Sequence, residues 1–371
     1  MIRRKKSIVA LAMVCSLLVT GCQLGGNSKE GLENTKFTDP TEKLQVVTTI
    51  FPYYDFARQV AGDYADVTMI VPAGMDTHSF EPTAEDMVTI GKADVLIYNG
   101  GELEGWVPQV IEAAGNRNLF VDAMIDYVDV DGDIDVEDAN ENSVAEKLEE
   151  RIDDAEDRRE DRLEAEWDRE NDLDDSLEHY DEDGHIHEHS HAHDDGDEHI
   201  WTSPENAKEI VEQIAKDLGK KDQEHKQEYI KNAEKYITEL DRIDQELENV
   251  TERARNPYLV FADRFPLRHF VDEYDLDYIA AFAGCGSETE PSVETIAKIT
   301  DIVRERQIPV ILKIELSSSK VAESIAEATG AEVRTFSTCH NVTKKEMEEG
   351  VTYVSLMEQN ISVLKEALEV E

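Results

Sequence analysis

Apolar positions along the chain fall into short β-branched runs separated by stretches of helical period. Residues 44–50 (LQVVTTI) alternate and are β-branched, the pattern of a buried strand, and 53–62 carries a helical period. A second strand over 67–71 ends at Pro72, and a helix over 83–93 starts near Pro82 or Thr83. A third strand over 94–98 is closed by Asn99-Gly100-Gly101, followed by a helix over 106–114 and a short strand over 119–121. Strands alternating with helices predict a parallel sheet covered on both faces. From about residue 127 this pattern stops, and 144–178 is dense in Glu, Asp and Arg with few apolar residues, so 127–198 reads as a solvated insertion. Regular structure resumes at Pro204 with an apolar stripe of Ile210, Val211, Ile214 and Leu218. A longer run over 224–254 carries Tyr229, Ala233, Tyr236, Ile237, Leu240, Ile243 and Leu247, enough for a rigid connecting helix. The second half repeats the first, with strands predicted at 258–261, 278–282, 310–314 and 332–336 and helices at 267–274, 293–306, 319–329 and 351–368. The fold class predicted is α/β: two parallel-sheet lobes, 44–221 and 255–371, joined by a connector helix over 222–254. In such folds ligands bind at the carboxyl ends of strands and between domains.

Charge narrows the partners. The 371 residues carry a formal net charge of −47, most of it between residues 122 and 198. A field of that sign repels nucleic acid and anionic membrane surfaces. The N-terminus changes the picture again. Arg3, Arg4, Lys5 and Lys6 precede an apolar run over 8–19 that is too short to span a bilayer. It ends in Val19-Thr20-Gly21-Cys22, which resembles the lipobox of bacterial lipoproteins, where the cysteine is acylated and becomes the new N-terminus. Residues 1–22 are therefore expected to be a lipoprotein signal, and the polar stretch 23–43 a flexible tether. The expected location is outside the cytoplasmic membrane, held there by the lipid.

Seven of the eleven histidines lie between His179 and His199, in HYDEDGHIHEHSHAHDDGDEH. His179, His185, His187, His189, His191 and His193 cannot build a core. They can present many imidazoles to solvent, and neutral imidazole is the commonest ligand of borderline cations such as Zn²⁺. With Cys15 in the signal and Cys22 lipidated, Cys285 and Cys339 remain. An extracytoplasmic pair can be a disulfide, and it can also be a pair of thiolate ligands.

The chain resembles the metal-binding receptor lipoproteins of ABC importers, the ZnuA-like zinc and manganese family. The resemblance rests on Thr48-Thr49-Ile50-Phe51-Pro52, then residues 72–83 (PAGMDTHSFEPT), Asn99-Gly100, Trp106, and His199-Ile200-Trp201 just after the histidine-rich stretch. It implies that His78 and His199 are metal ligands of the N-terminal lobe. The family usually places a histidine or carboxylate just after the strand at 258–261. Ala262 stands there and cannot ligate, which leaves its neighbour Asp263 as a candidate, or else as an ion-pair partner of Arg264 or a helix cap. His269 is a weaker candidate farther along. The family's last ligand is a carboxylate in the loop after a late strand, and here His340 stands in that position, beside Cys339. Glu315 and Glu288 are expected to orient a histidine or to lie on the surface.

The function implied is capture of Zn²⁺ in the interlobe cleft and delivery to the membrane subunit of an ABC permease, by a monomer that is not an enzyme. Mn²⁺ is the alternative cargo, disfavoured by a site weighted towards imidazole because Mn²⁺ prefers oxygen donors. A zinc hydrolase is the rival of another class. It keeps an open coordination position and a nearby base, whereas the candidate ligands here are spread across both lobes. An adhesin is a third class, with no dedicated adhesive surface legible.

Overall fold

The structure, a computed structural model, describes residues 43–128, 197–282 and 291–370. The signal with Cys22, the tether up to residue 42, residues 129–196 with the six insertion histidines His179 to His193, and Cys285 and Glu288 lie outside the described residues.

The first half alternates β1 (Leu44–Thr48), α1 (Phe51–Ala61), β2 (Ala65–Met69), α2 (Ala84–Lys92), β3 (Val95–Tyr98), α3 (Val107–Ala114) and β4 (Phe120–Ala123). Every pairing is parallel, in the order β2-β1-β3-β4. After α4 (Pro204–Lys221) and α5 (Lys226–Thr251), the second half runs β5 (Tyr258–Phe261), α6 (Arg268–Glu273), β6 (Asp277–Ala280), α7 (Val293–Arg306), β7 (Val310–Lys313), α8 (Lys320–Thr329), β8 (Glu332–Thr335), α9 (Lys344–Glu349) and α10 (Tyr353–Ala367). Its sheet is again parallel, in the order β6-β5-β7-β8. The two halves thus share one topology, and in each the strand order reverses beside the first strand, where the carboxyl ends leave a crevice.

Alternation along the strands explains why both faces of each sheet are covered. Val46 packs into one apolar cluster and Val47 into another; Phe261 and Val260 divide in the same way. The largest cluster continues from α1 through α4, α5 and α10 into β5 and β7, so the two sheets share one apolar core. Helix α5 has 26 residues and is about 39 Å long at 1.5 Å per residue. It buries Tyr229, Ala233, Tyr236, Leu240, Ile243 and Leu247 along one stripe, as the periodicity predicts. Asp55 of α1 is fully buried and accepts from Arg58 Nε (2.8 Å), Tyr236 Oη of α5 (2.9 Å) and the backbone N–H of Tyr353 at the start of α10 (2.7 Å).

Local sequence sets the helix starts. Thr83 and Asp86 form a reciprocal capping box at α2, and Ser203 accepts from the Asn206 N–H at α4, where Pro204 occupies the first turn. Several element bounds differ from expectation by about two residues, and one helix was not expected at all. Strand β2 begins two residues earlier than the 67–71 predicted, although Ile70 and Val71 still donate to Thr48 and Thr49 at 2.8 and 3.0 Å. Helix α9 is absent from the apolar pattern because it buries none of its residues; its only signal is the Thr343–Glu346 capping box.

Candidate metal centre

Three loops at the carboxyl ends of the two sheets each carry one histidine. The first follows β2 through Pro72-Ala73-Gly74. Gly74 has φ +83°, a left-handed conformation that a side chain would strain, and its N–H donates across the cleft to the Val342 carbonyl at 2.7 Å. The chain then tightens into a 3₁₀ turn over Thr77–Ser79, capped by Asp76, which accepts from the His78 N–H at 3.0 Å.

The second histidine, His199, precedes a 3₁₀ turn over Ile200–Thr202. Its Nδ1 lies 2.5 Å from Asp197 Oδ1. A carboxylate only accepts, so Nδ1 carries the proton and Nε2 keeps its lone pair for a cation. Burial would raise the Asp197 carboxyl, but the hydrogen bonds and charge of His199 outweigh it and draw the group down to about 2. The following Trp201 is fully buried, stacks edge-on to Tyr53 at 6.0 Å, and donates from Nε1 to the Thr338 carbonyl of the second lobe at 2.9 Å.

His340 lies in the loop after β8. Its predecessor Cys339 has φ +58°, uncommon for a residue with a side chain. Two buried groups hold the loop in that shape. The Glu315 carboxylate accepts from the Thr338 N–H (2.8 Å), the Thr338 hydroxyl (2.6 Å) and the His340 N–H (3.1 Å). Asn360 of α10 accepts from the Ser337 N–H and donates to the Ser337 carbonyl, at 2.8 and 2.7 Å.

These loops bring His78, His199 and His340 together: one ring nitrogen of each lies within 4.8 Å of the others. The ring centroids are 5.9 Å apart for His78 and His199, 5.3 Å for His78 and His340, and 5.4 Å for His199 and His340. His78 is exposed at the rim of the cluster, yet partial desolvation, then the neighbouring His199, lowers it to about 4. Burial likewise pushes fully enclosed His340 well below the usual imidazole range, helped by His199 and His78. His78 and His340 are therefore neutral at physiological pH, and neutral imidazole is the form that ligates. A cavity of about 30 Å³ beside it is lined by Thr77, His78, Arg264, Glu315, Leu316 and His340 among others. That volume has room for a water or an ion.

The structure does not bring the remaining candidates into the cluster. Asp263 follows β5 as expected, but its carboxylate is taken up within its own lobe. Oδ2 accepts from the Ile314 N–H at 3.1 Å and from the Ser317 hydroxyl, and Oδ1 from the Arg264 N–H at 2.9 Å. Arg264 itself pairs with Asp76 at 3.0 Å, not with Asp263. Cys339 packs into the shared apolar core, where burial and then Glu315 push its thiol up, so it is not a ready thiolate. His269 directs Nε2 to the Asp197 carbonyl. Glu315 does steady a histidine loop, through backbone N–H groups. Sequence reasoning passed over Thr77, whose hydroxyl lies 2.7 Å from His340 Nε2, and Asp197. The Asp197–His199 spacing of two was the one available signal for the latter.

Two parallel-sheet lobes that face each other across a crevice, each contributing donors, define a substrate-binding protein of the cleft type. The family model described as "Zinc-uptake complex component A periplasmic" matches residues 46–367, and the chain belongs to this ZnuA family. It is 29% identical to the "High-affinity zinc uptake system protein ZnuA" of Bacillus subtilis, over 98% of each chain. It is 26% identical to the "Zinc-binding lipoprotein AdcA" of Streptococcus pneumoniae over 99% of its own length, and spans 62% of that longer protein. Among solved structures, the metal-dependent lipoprotein YcdH of Bacillus subtilis superposes with a TM-score of 0.63 at 26% identity, covering 88% of this chain and 99% of the other.

Proposed function

We propose that this chain captures Zn²⁺ between its two lobes, outside the cytoplasmic membrane, and hands it to an ABC permease. One observation carries the reading: His78, His199 and His340, from loops of both lobes, converge within 4.8 Å. Three nitrogen donors suit Zn²⁺ and Cu²⁺ better than Mn²⁺, which prefers oxygen. A tetrahedral zinc then has one further position. Asp263 reaches it only by giving up Ile314 and Ser317, so a small oxygen donor in the adjoining cavity is the simpler occupant.

On this reading residues 44–221 and 255–371 are the jaws and 222–254 the strut between them. Cys22 carries the lipid that keeps the monomer at the membrane. His179 to His193 form a weak antenna that raises local zinc near His199. Family members are binding components of transport systems, and we extend that to this chain: donors spread over two lobes serve capture and release, not a rigid catalytic face.

The test is zinc and manganese affinity of the full chain, by competition with a chelator, in wild type, His78→Ala, His340→Ala and a deletion of 179–193. Wild type should hold one tight zinc and bind Mn²⁺ far more weakly. Each alanine variant should lose about 100-fold or more, beyond the 10–100-fold typical of an orienting partner. The deletion should remove weak sites alone. Tight zinc binding indifferent to both alanine variants would refute the site.

A further inference from the structure

We infer that helix α6 of the C-terminal lobe positions the N-terminal lobe's ligand His199, through a clasp made by His269 and Arg268 on Asp197. The inference rests on the reading of the three histidines as zinc ligands.

Segment 197–199 is held from two sides. Glu198 faces the first lobe: its carboxylate accepts from the backbone N–H groups of Glu102 (2.5 Å) and Leu103 (2.7 Å), and its carbonyl from Asn99 Nδ2 (3.0 Å). Asp197 faces the other lobe. Its Oδ2 accepts from the Arg268 N–H at 3.2 Å, in the first turn of α6, where the helix has no partner of its own for that donor. Its carbonyl accepts from His269 Nε2 at 2.5 Å. Its Oδ1 takes both the backbone N–H of His199, at 3.1 Å, and Nδ1 of the ligand ring. At the far end of α6, Glu273 accepts from the Glu205 N–H at 3.4 Å, just beyond the same segment.

One residue therefore bonds both the ring that meets the metal and the helix of the opposite lobe. An imidazole free to rotate about χ1 and χ2 samples orientations in which Nε2 misses the ion; the Asp197 carboxylate removes that freedom. From the opposite lobe α6 steadies Asp197, beside the hold that Glu198 has on the first. When the lobes part, the bonds of α6 to Asp197 break and His199 loses its orientation, so opening and ligand loss become one event. By linkage, zinc in the site favours the closed clasp by the same factor. The assignment also gives His269 a role without ligation, since its Nε2 is committed to a carbonyl. Asp197 and His269 are positioning residues.

The experiment measures zinc affinity and dissociation rate of the full chain, with the visible absorption of bound Co²⁺, for Asp197→Ala, His269→Ala, His269→Gln and the double alanine variant. Metal-free melting temperatures are taken alongside. Asp197→Ala should weaken zinc about 10–100-fold. His269→Ala should weaken it about fivefold, chiefly through faster release, and change the Co²⁺ spectrum while leaving the metal-free melting temperature close to wild type. His269→Gln, which can still donate to the carbonyl, should restore affinity to within about twofold. The double variant should be little weaker than Asp197→Ala, because the effect of His269 passes through Asp197. Tight wild-type binding with His269→Ala unchanged in affinity and spectrum would overturn the clasp and leave zinc capture standing. A glutamine that fails to rescue would do the same. Absence of tight binding in wild type would instead bring down the zinc reading itself.

Discussion

His78 and His340 resist protons before they bind any metal. A positive charge on either would lie close to the other rings; His340 is also buried where charge is poorly solvated, and His78, though exposed at the rim, is partly desolvated by its neighbours. The sign of the consequence follows. The unfolded chain takes up a proton at each imidazole near the ordinary value of about 6.5, whereas the folded site refuses it until much lower pH. Stability of the metal-free protein is therefore full above that value and is lost as pH falls below it. Each such histidine adds at most about 1.4 kcal/mol per pH unit. Urea unfolding of metal-free protein between pH 7 and 5 should show this loss, and His340→Ala should remove its share of the slope. An identical slope in the variant would mean that His340 titrates normally in the fold.

At the scale of elements, the joints between helices matter more than the charges displayed on them. Asp55 binds α1 to α5 and to the first turn of α10, and it is wholly buried. Asp55→Ala would leave the Tyr236 hydroxyl and the Tyr353 N–H without their acceptor and Arg58 with the Val351 carbonyl but no carboxylate, a loss of about 3–5 kcal/mol. Arg242 on α5 makes more ion pairs, to Glu239, Glu246 and Glu358, but its side chain is 40% exposed. Water and salt screen those pairs, and Arg242→Ala should cost less than about 1 kcal/mol. Denaturant midpoints of the two variants check the ordering; equal losses would contradict it. Because one apolar core runs from α1 through α5 to β7, both lobes should unfold in a single transition.

In the whole molecule direct bonds span the cleft at several points. Arg264 of the second lobe pairs with Asp76 of the first, and Asn341 Nδ2 donates to the Pro72 and Met75 carbonyls at 3.0 and 2.8 Å. A cation bound by donors of both lobes adds to these. At a free zinc concentration 100 times Kd it should stabilise the fold by about 2.7 kcal/mol. A chelator should accordingly lower the melting temperature of wild type and leave that of His78→Ala nearly unmoved. A chelator effect of equal size in both would place the stabilising metal elsewhere, with the histidine-rich stretch the first place to look.

Much of this was legible in the chain. β-Branched runs alternating with helical stripes specify two parallel sheets, because strand and helix periods differ and only buried faces keep either one. Asn99-Gly100-Gly101, Thr83 and Ser203 mark boundaries through backbone chemistry that acts over three or four residues. The motifs offer His78, His199 and His340 as candidate ligands, with Asp263, Cys339 and Cys285 beside them. Tertiary structure alone decided which neighbours join them. Asp263 and Cys339 follow strand ends just as His78 and His340 do, yet one finds the N–H of Ile314, 51 residues away in sequence, and the other turns through φ +58° into the core. Glu315 and Asp197 gain their roles from donors in other loops. Spacing along a chain says where a side chain starts; the direction it takes depends on backbone conformation and on hydrogen-bond partners that only folding brings near.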